Sequence, residues 1–185
     1  MGVRTIRAVL ATVILVTTTA VATGTAAAGP YCGITWGSTT EARAGMTTAP
    51  IVAARAGGHA CYDRFVIELG GPVAGFNVRY VSRVTGVADD RPIALRGGAF
   101  LQAVVRAPAN DSAGRATYAP AERSEAVRVT GFRTFRQIAY AGSFEGITVF
   151  GAGVRARLPF RVIVVAGPGG HSRLVLDVAH QWSST

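Results

Sequence analysis

The sequence predicts an all-β protein, a β-sandwich of about 8–10 short strands behind an N-terminal leader. Three observations lead there. Apolar residues make up 49% of the chain and charged residues 16%, so a buried core is affordable and disorder is disfavoured. The 23 glycines and 8 prolines cut the chain into segments too short for ordinary helices. Within those segments, apolar and polar residues alternate with the period of a strand. The 185 residues fit a single domain.

The first 28 residues read as an export signal. Arg4 and Arg7 precede an almost continuous apolar run, Ala8 to Val16, and the stretch ends in Ala26-Ala27-Ala28. Positive start, apolar middle and small-residue end are the three parts of a secretory leader. Cleavage after Ala28 leaves Gly29 first; Ala20-Val21-Ala22 offers an earlier site. The apolar run falls short of the roughly 20 residues a membrane-spanning helix needs, so no stable anchor is expected after cleavage. Cys32 follows Tyr31 rather than a small residue, which argues against lipid attachment. All 19 basic residues are arginines; without Arg4 and Arg7 there remain 17 against 10 acidic residues, a net charge of 17 − 10 = +7.

Residues 29–49 form an arm without a strand pattern, and 50–182 carry the domain. Cys32 and Cys61 are the two cysteines, an even number in an oxidising compartment. A bridge between them closes a loop of about 30 residues, worth about 3–4 kcal/mol in the loop-entropy picture. His59, Cys61 and Asp63 alternate as three zinc ligands on one strand face would, but Cys61 has a bridging partner in Cys32.

Strands are expected in chain order. Ile51–Ala56 comes first. Tyr62–Leu69 is the clearest, with Phe65, Ile67 and Leu69 on one face and Tyr62, Arg64 and Glu68 on the other. Phe76–Val81, Ile93–Leu95 and Phe100–Arg106 follow, the last aligning Leu101, Ala103 and Val105. Residues 107–123 hold Pro, Asn, Asp and Gly without a pattern and read as a long loop. Val127 and Val129 alternate around Arg128; Phe135–Tyr140 and Ile147–Phe150 come next, and Gly151-Ala152-Gly153 reads as a turn. Phe160–Val165 is apolar on both faces and is expected at the centre of a sheet. A turn at Gly167-Pro168-Gly169-Gly170 leads to Leu174–His180, with Leu174, Leu176 and Val178 together.

Catalytic signatures are missing from the sequence. Gly142-Ser143-Phe144-Glu145-Gly146 has the wrong spacing for a nucleophile elbow. There is no zinc-protease helix motif and no phosphate-cradling loop. Dispersed arginines without a recognised module argue against nucleic acid. No enzyme activity and no cofactor are expected. The candidate binding residues are polar groups on outward strand faces: Tyr62 with Arg64, and Arg136 with Tyr140. Aromatic rings offer flat apolar contacts, and Arg offers a fork for carboxylate or phosphate.

Several segments together resemble a known family: Gly58-His59-Ala60-Cys61-Tyr62-Asp63-Arg64-Phe65-Val66, Gly75-Phe76-Asn77-Val78-Arg79-Tyr80-Val81, Tyr140-Ala141-Gly142-Ser143-Phe144-Glu145-Gly146, Phe150-Gly151-Ala152-Gly153-Val154-Arg155, Leu158-Pro159-Phe160-Arg161-Val162, and Leu174-Val175-Leu176-Asp177-Val178-Ala179-His180. They resemble the AMIN-like domain of secreted actinobacterial proteins, related to the amidase N-terminal domain. The resemblance implies a β-sandwich in the cell envelope and a non-catalytic module that binds peptidoglycan. The expected partner is therefore cell-wall glycan. The other readings are an envelope protein docked on the sheet edge or the Arg/Tyr face, and a hydrolase that its sequence does not announce.

Overall fold

The computed structural model describes residues 1–2 and 30–182. Apart from its first two residues, the expected leader lies outside the described part. Among the described residues eleven strand segments run in chain order: β1 (Glu41–Arg43), β2 (Ile51–Gly58), β3 (Tyr62–Leu69), β4 (Phe76–Val81), β5 (Val84–Thr85), β6 (Pro92–Ile93), β7 (Ala99–Val105), β8 (Phe135–Phe144), β9 (Ile147–Val154), β10 (Phe160–Ala166) and β11 (Ser172–Ala179).

Alternation decides which side chains meet. Phe65, Ile67 and Leu69 of β3 point inward beside Leu174, Leu176 and Val178 of β11. They form one wall of the core, in a four-stranded antiparallel sheet ordered β10-β11-β3-β2. The facing sheet is ordered β1-β4-β7-β9-β8 and contributes Val78, Leu101, Ala103, Val105, Phe150 and Ala152. Phe65 meets Phe150 edge-on across the gap, with ring centroids 5.4 Å apart. Burying a side chain of that size stabilises by about 1.5–3 kcal/mol. The sandwich expected from the sequence is the fold.

A second, smaller cluster lies on the far side of the five-stranded sheet. The β5–β6 hairpin and its flanks cover Val149, Ala141 and Val104 with Val84, Ile93 and Leu95. This cover explains one departure from the sequence reading. Gly151-Ala152-Gly153 is not a turn but the middle of β9. A Cβ on Gly153 would sit 1.9 Å from the Arg96 carbonyl oxygen, and one on Gly151 would sit 2.9 Å from Leu95 Cδ1. The glycines let the covering segment lie directly on the strand.

A second departure concerns β10. Its apolar run places it not at the centre but at the edge, paired with β11 alone. Val164 and Val165 are 38% and 39% exposed. The arm shields the first half of this edge: the Phe160 N–H donates to Gly37 O at 2.8 Å and the Val162 N–H to Glu41 Oε2 at 2.9 Å. The arm is thus less irregular than its composition implies, since β1 within it pairs with β4 in register Glu41↔Val78.

One polar group ties the two sheets together. Asp63 points inward from β3 and is 1% exposed. Its Oδ2 accepts the N–H groups of Thr134 at 2.6 Å and Phe135 at 3.0 Å, where the chain enters β8 in the opposite sheet. Its Oδ1 lies 3.0 Å from His180 Nε2, just beyond β11. A buried carboxyl group costs several kcal/mol unless its oxygens are satisfied; here they receive three donors from two other chain segments. Asp63→Ala leaves those donors buried and unpaired. Urea unfolding should show a loss of about 3–5 kcal/mol. A loss below about 1 kcal/mol would mean that the clamp does not hold the sheets.

Candidate functional site

The outer face of the four-stranded sheet is built by the phase of the clamp. With Asp63 inward, Tyr62 and Arg64 point outward. Register places Asp177 of β11 directly between Arg64 of β3 and Arg161 of β10. Asp177 is fully buried beneath them. Arg64 grips it through Nε at 2.6 Å and Nη2 at 2.8 Å, and Arg161 adds Nε at 3.0 Å. The Asp177 carboxylate raises the Arg64 pKa further above its ordinary value. Two guanidinium groups share one carboxylate, so one positive charge is left over. Arg64 Nη1 and both terminal nitrogens of Arg161 have no hydrogen-bond partner among the described residues.

Aromatic rings frame this triplet. The Arg161 guanidinium lies 4.3 Å from the ring centroid of Trp36 and 5.9 Å from that of Tyr62; Arg64 lies 5.3 Å from Tyr62. Trp36 and Tyr62 are tilted with centroids 5.6 Å apart, and His59 stacks on Tyr62 at 4.6 Å. Trp36 reaches the face because the Cys32–Cys61 disulfide fastens the arm beside the start of β3. That bond pairs the two cysteines as expected, and it takes Cys61 away from any zinc set with His59 and Asp63.

The opposite end of the same face repeats the charge pattern. Glu68 pairs with Arg55 at 2.6 Å, His171 at 3.3 Å and Arg173 at 3.6 Å. The Arg55 hydrogen bond chiefly holds the Glu68 carboxyl below its ordinary range. Between the two charged rows lies an apolar row of Ile163, Val175 and Val66, in direct register. The rows Asp177 and Arg173 are four residues apart, about 13 Å along the strand. The face as a whole sets four arginines against two carboxylates.

Arg136 and Tyr140 belong to β8 in the other sheet. The structure brings Tyr62 to Arg64 but does not bring either to Arg136 or Tyr140. Bulges at Phe135/Gln137 and Tyr140/Gly142 alter the phase of β8. Arg136 turns back, its Nη1 donating to the carbonyls of Phe132 at 3.1 Å and Arg133 at 3.2 Å. Tyr140 sits beside Phe150 at 5.5 Å and under the guanidinium of Arg123 at 5.3 Å. Trp36 and Arg161 are absent from the sequence-derived set of site residues. Strand parity puts Arg161 and Asp177 outward; their register with Arg64 is what a single sequence lacks.

The remaining buried pair is Asp63–His180. Its geometry is that of a clamp: His180 is 6% exposed, and its Nδ1 is buried without a hydrogen-bond partner. No serine, threonine or cysteine side chain bonds to the imidazole among the described residues. Among those residues no helix is long and apolar enough to cross a membrane.

A family model for the AMIN-like domain matches residues 49–180, the clamp and most of the charged face included. The chain belongs to the AMIN-like domain family. Membership carries a general association with the extracytoplasmic cell envelope and with peptidoglycan-associated binding. No curated protein and no solved structure matched the chain. In this AMIN-like domain the match begins after Trp36, so the arm supplies Trp36 while Tyr62 and His59 lie within the matched residues.

Tyr118, from the long loop, packs edge-on against Tyr140 with centroids 5.4 Å apart, and its hydroxyl is buried without a partner. Burial, and then the neighbouring Tyr140, push the Tyr118 phenol up to about 12. A phenol whose pKa is raised on folding stabilises the fold below the ordinary value and loses that contribution as pH rises through the folded value. Stability should therefore decline from about pH 10 towards about 12. Tyr118→Phe should remove the last step of the tyrosinate titration, measured by ultraviolet absorbance. It should also raise stability at neutral pH by about 1 kcal/mol, since an unsatisfied hydroxyl is lost. A destabilised Tyr118→Phe protein would show that the hydroxyl has a partner.

Proposed function

We propose that this domain is a non-catalytic envelope module that binds anionic cell-wall polymer through the outer face of the β10-β11-β3-β2 sheet. The observation that carries the reading is the row Arg161–Asp177–Arg64, with its surplus positive charge and free guanidinium donors beside Trp36 and Tyr62. Arg forks meet carboxylate or phosphate with two parallel hydrogen bonds. Aromatic rings supply flat apolar contact for sugar rings, and half-buried Ile163 extends it. The face is open and extended rather than enclosed, which suits a polymer better than a small molecule. Membership of an envelope-associated family supports the same ligand class. Export with cleavage after Ala28 belongs to this proposal, and intact-mass analysis of envelope fractions should find Gly29 first.

A second reading is a protein partner that adds a strand to the uncovered half of β10. The exposed Val164 and Val165 favour it. Cosedimentation with isolated, protein-free cell walls separates the two.

Arg64 supplies two of the three ion-pair hydrogen bonds to the buried Asp177, so its removal tests stability as well as binding. Arg161→Gln and Trp36→Ala leave that bidentate pair in place and are the better probes. Each should weaken wall binding about tenfold, about 1.4 kcal/mol, with the melting temperature little changed. Added salt should weaken the unaltered protein, because screening shortens the reach of the surplus charge. Undiminished binding by the double variant, or no binding at low salt, would favour the strand-addition reading.

A further inference from the structure

A cleft of about 360 Å³ opens between the loop of residues 107–123 and β8, away from the charged sheet face. That volume lies at the small end of the range for ligand sites. One side is small and apolar (Ala116, Ala119, Pro120), two aromatic rings follow (Tyr118, Tyr140), and Asn110 and Ser143 add polar groups. Arg123 lies where this cleft meets a second hollow of about 350 Å³ beneath Val87 and Asp89.

Three features make Arg123 a ready anion fork. Its carbonyl accepts the Tyr140 N–H at 2.7 Å, which fixes its backbone to β8. Its guanidinium stacks 5.3 Å from the Tyr140 centroid. Neighbouring acids are engaged elsewhere: Asp89 pairs with Arg91, Glu125 with Arg96, and Glu122 bonds Ser124. Arg123 itself has no carboxylate partner among the described residues. Gly142 keeps the space open, because a Cβ there would lie 3.1 Å from Arg123 Nη2, and its φ of +114° disfavours a side chain in any case.

We infer that this cleft binds the C-terminal end of a short peptide with small apolar side chains, its free carboxylate on Arg123. The carboxylate takes the parallel donors of the guanidinium. Alanine-sized side chains fit the small apolar walls. This chemistry occurs both in wall peptides and at protein C-termini. Assigning it to wall peptides rests on the function proposed above; the binding itself does not.

The test is calorimetric titration of the intact protein with N-acetyl-Ala-Ala in its L,L and D,D forms, and with the C-terminal amides of both. Saturable binding of at least one acid form is expected, with the matching amide at least about tenfold weaker. Arg123→Gln should weaken the acid to the level of the amide, and Arg123→Lys should restore it only in part, because a point charge lacks the fork. Preference for D,D assigns the ligand to the wall, and preference for L,L to a protein terminus. Equal binding of acid and amide, unchanged binding by Arg123→Gln, or no saturable binding of either acid would overturn the inference. The titration contains no cell walls, so its failure and the failure of wall binding by the sheet face are separate results.

Discussion

The Asp63 carboxyl group is the constraint on which the sandwich closes. Taking it out of water is unfavourable, and the chain recovers that cost only if Thr134, Phe135 and His180 are brought to it. Those partners come from the entrance to β8 and the end of β11. The clamp therefore fixes the separation of the sheets and the phase of β3 at the same time. A one-residue slip would turn Asp63 to solvent and Tyr62 and Arg64 into the core. The fold and the candidate face share one cause.

Asp177 solves a similar problem on the other side of the sheet. It lies on the outer face yet is fully buried, because two arginines from neighbouring strands cover it. A buried ion pair is weak evidence of stability by itself, since desolvation offsets the Coulomb gain. Two cations around one anion change the balance: the carboxylate is satisfied and unused donors remain for a ligand. The disulfide and the arm then place Trp36 against the same guanidinium.

Much of the sandwich was legible in the sequence because strand parity is local. Phe65, Ile67 and Leu69 alternate, as do Leu101, Ala103 and Val105, and both sets are in the core. Where the reading failed, the deciding fact was not local. β10 is apolar apart from Arg161 yet forms an edge, and the arm covers its first half. Gly151 and Gly153 resemble a turn in isolation, and only the segment lying on them shows why glycine stands there. The pairs Tyr62/Arg64 and Arg136/Tyr140 each obey alternation, but they lie in different sheets, and Tyr140 packs against the core with Ile138 and Phe150 rather than facing outward. Trp36, Arg161, Tyr118 and Arg123 join their clusters across strands or from a loop, where one sequence offers no register.

If the proposed function is right, the outer sheet face is the surface that meets the envelope. Backbone amide and indole NMR shifts on adding soluble, muramidase-released wall fragments test this most directly. Perturbations should concentrate at Trp36, Tyr62, Arg64 and Arg161 and be reduced by added salt. Shifts confined to Ile163–Ala166, or fragments in excess that leave the Trp36 indole unmoved, would contradict the proposed function.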